Sequence, residues 1–181
     1  MREHYEQPQY LTFHVAGEEY AAPILQVKEI IEYGTVTKVP TMPEYVRGVI
    51  NLRGSVVPVV DLAAKLGLPL TNVTRLSCIV IVEVMIEGEE TVVGVLVDAM
   101  GQVIDLPAKD IEKPPAFGTR ARADHLRGMG KLANKFLMIL DLEKVLGQAA
   151  LLDTPGAAMS LLEASGGGGG SGGDAREATP Q

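Results

Sequence analysis

Tryptophan is missing from this 181-residue chain, and aromatic residues of every kind make up only 4% of it. A surface that stacks nucleobases needs exposed rings, so single-stranded nucleic acid is a poor match. Basic charge is also short: 16 Lys and Arg stand against 23 Asp and Glu, a formal net charge of −7. With a pI near 5.0 the chain lacks the cationic stripe that a phosphate backbone requires. No nucleic-acid partner is expected. The one cysteine, Cys78, lies in the apolar run Cys78-Ile79-Val80-Ile81-Val82. With no disulfide partner and no histidine nearby in sequence, it reads as a buried, inert thiol, in keeping with a reducing compartment.

Other chemistry is missing as well. The stretch Met1–Tyr10 has no apolar signal core, and no run approaches membrane-spanning length. A cytoplasmic protein without direct membrane insertion is the expectation. His4, His14 and His125 are scattered, and none has metal-ligand spacing with another His or Cys. No glycine loop is followed by the Lys-Ser/Thr that cradles phosphate. Ser55 and Ser77 lack an elbow motif or a nearby base. Neither a metal nor a cofactor is expected.

What the chain does have is a repeat. Residues 47–67, RGVINLRGSVVPVVDLAAKLG, return as residues 127–147, RGMGKLANKFLMILDLEKVLG, without a gap and at an offset of 80 (127 − 47). Arg47, Gly48, Leu52, Asp61, Leu62, Leu66 and Gly67 recur as Arg127, Gly128, Leu132, Asp141, Leu142, Leu146 and Gly147. Residues common to both copies serve the fold, and residues confined to one copy are the better functional candidates. A fainter echo precedes each copy, aligning Val27, Ile30 and Ile31 with Met100, Val103 and Ile104.

The apolar residues are mostly Val, Ile and Leu in short runs broken by Gly and Pro, the rhythm of an all-β barrel or sandwich with a few short helices. Strands are expected at 9–16, 19–22, 48–52, 55–60, 76–85, 91–97, 128–132 and 135–140, with turns at Ala16-Gly17-Glu18 and Glu87–Glu90. Each repeat then reads as a hairpin followed by a short helix. The hairpins turn at Arg53-Gly54 and Ala133-Asn134, where Gly54 and Asn134 supply the residue that tolerates φ > 0. Asp61 and Asp141 read as helix N-caps, and Gly67 and Gly147 as the stops. Together the halves describe two similar small barrels over residues 9–153. Residues 154–181 hold the glycine tract Gly166–Gly173 and read as a flexible tail, with Met159 and Leu161-Leu162 its only candidate docking segment.

One enzymatic layout merits weighing. A duplicated β protein could set one aspartate per half face to face as a shared-proton dyad, and Asp61 and Asp141 are the pair that fits. Each is followed by Leu and a helical pattern, so its carboxylate is expected to be occupied by backbone N–H groups. Catalysis is not expected. Arg53 stands out instead, because its counterpart is Ala133 and the fold does not need it. Glu29, in Val27-Lys28-Glu29-Ile30-Ile31, likewise has no acid at the matching place in Met100-Gly101-Gln102-Val103.

The residues from Tyr20 to Ile31 and from Val39 to Leu62, with Val93–Asp98 and Leu137–Leu146, resemble the chemotaxis coupling family CheW. The string Gly48-Val-Ile-Asn-Leu-Arg-Gly followed by Val57-Pro-Val-Val-Asp-Leu is the most specific part. The resemblance implies two SH3-like β-barrels packed together and an adaptor without catalytic activity. It implies docking to the cytoplasmic tip of methyl-accepting receptors, to the regulatory domain of the kinase CheA, and to other copies in array rings. The family's partner-sensitive positions fall on Val27, Glu29, Gly48 and Arg53, with Ile30 an apolar neighbour. Glu29 and Arg53 are expected to pair with each other. A coupling protein of a non-flagellar system, governing pili or gene expression, is the alternative. The glycine-rich extension is not part of the family pattern.

Overall fold

A computed structural model describes residues 8–114 and 125–147. The tail from 154 onward and the segment around Met159 lie outside the described residues. Among the described residues, eleven strands and two short helices run in the order β1 (Gln9–Val15), β2 (Glu18–Pro23), β3 (Val27–Glu32), β4 (Val46–Leu52), β5 (Ser55–Asp61), α1 (Leu62–Lys65), β6 (Cys78–Ile86), β7 (Glu89–Val97), β8 (Ala99–Asp105), β9 (Ile111–Glu112), β10 (Leu126–Leu132), β11 (Lys135–Leu140) and α2 (Leu142–Gly147). They form two curled, barrel-like sheets, ordered β8-β1-β2-β11-β10-β9 and β3-β6-β7-β5-β4. All eight expected strands are present. Strands β8 and β9 were not anticipated, and Val27–Ile31 resolves as strand β3.

The duplication is visible in the pairing. Both hairpins, β4–β5 and β10–β11, slip register at the same repeat position, between Val46 and Gly48 and between Leu126 and Gly128. Strand β5 lies parallel to β7 with Val59 opposite Gly94, and β11 lies parallel to β2 with Ile139 opposite Ala21. The amides of Asp61 and Asp141 donate to the carbonyls of Tyr45 and His125, at 2.6 and 2.9 Å. The echo also holds: Val27, Ile30 and Ile31 sit on β3 opposite Val82, Val80 and Ile79, as Met100, Val103 and Ile104 sit on β8 opposite Phe13, Leu11 and Tyr10.

The sheets do not coincide with the sequence halves. Strand β3 follows β2 in the chain yet pairs with β6 in the other sheet, and β8 follows β7 yet pairs with β1. A single residue, Asp98, separates β7 from β8. One residue cannot reverse an antiparallel strand, for which the tightest common loop has two. The chain therefore leaves its sheet and enters the neighbouring one, and the two lobes exchange strands.

Three apolar clusters follow from this arrangement. Strand β6 sends Ile79 and Ile81 into the interior of its own curled sheet, with Val57, Val59 and Leu96. It sends Val80, Val82 and Val84 to the opposite face, where they meet Leu11, Phe13, Val15 and Tyr20 of the first sheet. The interior of the first sheet holds Tyr10, Ala21, Leu106, Leu137 and Ile139. A strand covered on both faces needs an unbroken apolar run rather than an alternating one, which explains the sequence Cys78–Val82. Cys78 is 7% exposed within the central cluster, and burial pushes its thiol up from the ordinary range, as an inert role requires.

Both aspartates cap helices as expected. Asp141 Oδ1 accepts from the Lys144 amide at 3.2 Å. Asp61 Oδ1 accepts from Ala64 at a longer 3.4 Å. Asp61 is fully buried and so lines no open cleft. One detail of the second copy differs from expectation. Neither Ala133 nor Asn134 has positive φ, whereas Arg53 and Gly54 stand at +51° and +85°. The loops are equally short, with Leu132 facing Lys135 as Leu52 faces Ser55, but they take different turn types, so Asn134 marks the turn without the expected conformation. Gly67, at φ +81°, stands beyond α1 as a left-handed stop, as expected, whereas the residues after Gly147, and with them its expected role as a stop, lie outside the described residues.

Candidate partner-docking surface

Among the described residues, strand β3 is an edge of the second sheet, hydrogen-bonded only to β6. Residues opposite one another on paired strands share a face. Val27 and Ile30 lie opposite Val82 and Val80, which belong to the central cluster, so both look toward the junction between the sheets. A register slip at Lys28 returns Glu29 to the other face, opposite Ile81. Lys28 itself reaches Glu83 at 2.8 Å, and that ammonium group holds the Glu83 carboxyl below the usual carboxylate range.

The β4–β5 hairpin brings Arg53 to this edge. Its guanidinium Nη2 donates to Glu29 Oε2, closing β3 onto the hairpin tip across 24 residues of sequence. The two charges absent from the other half thus meet as expected. The arginine side chain is 77% exposed and the glutamate 24%. An ion pair so open to water contributes at most about 1 kcal/mol to stability, so its value lies in fixing the orientation of a charged, accessible surface. The hairpin tip is itself held: Asn51 Oδ1 accepts from the Gly54 amide at 2.9 Å.

The remaining expected residues divide by burial. Ile30 is 44% exposed and offers apolar surface on the face of β3 opposite to Glu29. Val27 is half-buried and packs against the central cluster, so it carries less open surface than its position on an edge strand suggests. Gly48 is buried. Its backbone stands at φ +144°, and a Cβ there would overlap the Thr37 carbonyl. Thr37 and Val49 exchange both backbone hydrogen bonds, at 2.8 and 2.9 Å, which pins the loop after β3 against β4. Any larger residue at 48 would pry that loop away and reshape the surface from beneath.

Two residues of this region escaped the sequence reading. Leu25, on the 3₁₀ turn Ile24–Gln26 that leads into β3, is 96% exposed. Nothing in its local pattern separates it from a core leucine. Asn51 could have been noticed: an Asn three residues before a loop glycine is a common turn-closing acceptor, and its repeat counterpart is Lys131.

Comparison with known proteins assigns the chain. A family model described as a CheW-like domain matches residues 9–150. The chain belongs to the CheW-like family. It is 33% identical over 147 residues to the chemotaxis protein CheW of Klebsiella aerogenes, covering 80% of this chain and 86% of that one. It is 36% identical over 136 residues to the CheW of Bacillus subtilis, covering 75% and 85%. The crystal structure of the scaffolding protein TtCheW from Thermoanaerobacter tengcongensis superposes with a TM-score of 0.70 at 32% identity, covering 80% of this chain and 91% of the other.

Proposed function

We propose that this protein is a non-catalytic adaptor of bacterial chemotaxis, which couples methyl-accepting receptors to the histidine kinase CheA. The observation that carries the reading is the Glu29–Arg53 pair. Two charges that the fold's own duplication marks as dispensable are joined on an exposed edge strand that also carries the open side chain of Ile30, with Leu25 exposed on the turn leading into it. Such a surface suits docking, with apolar side chains supplying buried contact and the charges fixing register.

The repeated aspartates support the absence of catalysis in this reading, since both carboxylates serve as caps. No described helix is long and apolar enough to cross a membrane, and the protein works in the cytoplasm, held at receptor arrays by its partners. Binding kinase and receptor on one small body replaces a weak bimolecular encounter with a local one. Signal passes as a coupling free energy of about 1–3 kcal/mol between the two interfaces. The strand exchange between lobes gives that coupling a path, because neither sheet can shift without moving strands that begin in the other. Capture experiments test the proposal, using a receptor cytoplasmic fragment and a CheA regulatory domain as separate baits. Binding to both at micromolar concentration is expected, and failure to bind either overturns it.

A further inference from the structure

We propose that Asn51 is the positioning residue of this docking surface: it locks the turn that aims Arg53 at Glu29. The inference rests on the docking role given above to the ion pair. In a two-residue hairpin loop the turn type decides where the first loop side chain points. Here Arg53 takes φ +51° and Gly54 φ +85°. The left-handed region is unfavourable for a long side chain, and such a conformation persists only where its surroundings enforce it. The enforcing contact is the Gly54 amide donating to Asn51 Oδ1 at 2.9 Å.

The second copy provides the contrast. Lys131 replaces Asn51 and is turned away to Glu112, at 2.6 Å. Its loop residues, Ala133 and Asn134, take no positive φ. Ala133 and Gln102 stand where Arg53 and Glu29 would be. Turn-locking acceptor, left-handed arginine and paired glutamate thus occur together in one lobe and are missing together from the other. The contrast ties Asn51 to the left-handed turn, and that turn to the aim of Arg53. Asn51 is exposed and on the solvent side of the strand, so its loss leaves the core untouched.

The test measures affinity for the receptor fragment and the CheA domain in four proteins: wild type, Asn51→Ala, Arg53→Ala and the double variant. Asn51→Ala is expected to weaken binding by about three- to ten-fold, the range set by one hydrogen bond, with an unchanged circular dichroism spectrum. Asn51→Asp, which keeps the acceptor, should bind within about two-fold of wild type. In the Arg53→Ala background the same Asn51→Ala change should have no effect. Equal weakening in both backgrounds would mean that Asn51 meets the partner directly, and would overturn the proposal. So would full affinity in Asn51→Ala.

A second readout separates this inference from the docking role itself. Nitrogen-resolved NMR of the arginine side chains follows hindered rotation of the Arg53 guanidinium, the signature of its pairing with Glu29. That signature should be lost in Asn51→Ala and kept in Asn51→Asp. Its persistence in Asn51→Ala refutes the positioning role. Its loss in Asn51→Ala, together with unaltered binding in Arg53→Ala, refutes only the docking role.

Discussion

Replacing Asp61 with alanine should be several times more damaging than replacing Asp141, although the two occupy the same repeat position. Asp61 Oδ2 accepts from the Thr71 amide at 2.8 Å, and Oδ1 accepts from the Thr71 hydroxyl at 2.9 Å. Both partners are buried, with Thr71 6% exposed and Asp61 not exposed at all. Arg47 Nη1 lies 3.7 Å from the same carboxylate. Alanine would strand two buried donors, each costing about 1–3 kcal/mol, and would also remove the cap of α1. A loss of about 3–5 kcal/mol follows. Asp141 is half-buried and caps α2 through the Lys144 amide, so Asp141→Ala should cost about 1 kcal/mol. Denaturant melts at pH 7 give both values. In the double variant Asp61→Ala/Thr71→Val the loss should be well below the sum of the single losses, because each change removes the same bonds. Equal effects of the two aspartates, or a loss under about 1 kcal/mol for Asp61→Ala, would refute the assignment of Asp61 as the anchor of the loop at Thr71.

Two further changes test local features. A Cβ at Gly54 meets no atom within 4 Å, yet φ is +85°, so the cost of Gly54→Val is mainly conformational, about 1–3 kcal/mol in a denaturant melt; a neutral result would contradict the left-handed turn. Glu19 accepts from Lys135 Nζ, and this hydrogen bond and charge hold its carboxyl below the usual range. A carboxyl lowered by folding stabilises the native state above its unfolded value, near ~4.3, and the contribution fades as pH falls through the lowered native value. The stability difference between wild type and Glu19→Gln should therefore be constant from pH 7 to about 6 and shrink below about 4. A difference that stays constant down to pH 3 would contradict the pairing.

Much of the fold was legible because its signals are local. The hairpins announce themselves by apolar runs flanking Arg53-Gly54 and Ala16-Gly17, and the caps by Asp-Leu followed by a helical pattern. The duplication made the two lobes readable before any pairing was known. What stayed hidden is non-local. Strands β8 and β9 carry few local marks: β8 is set off from β7 by Asp98 alone, and β9 is two residues long. The exchange of β3 and β8 between sheets is decided by the central cluster that both sheets share, which no window of sequence displays. The turn at Ala133-Asn134 was misjudged because Asn tolerates positive φ without requiring it.

The docking surface was legible where the repeat supplied a control. Glu29 and Arg53 stood out against Gln102 and Ala133, and they meet in the structure. Gly48 offered no such control, since both copies carry glycine there. Only the closeness of Thr37 shows that it acts from inside.

Calorimetric titration of Arg53→Ala against a receptor cytoplasmic fragment and the CheA regulatory domain, paired with its thermal melt, bears most directly on the account. The melting temperature should stay within about 3 °C of wild type, because the pair is open to water, while affinity for at least one partner falls by about ten-fold or more. A variant that melts far below wild type yet binds both partners normally would make Arg53 a structural residue and leave the edge of β3 without a docking role.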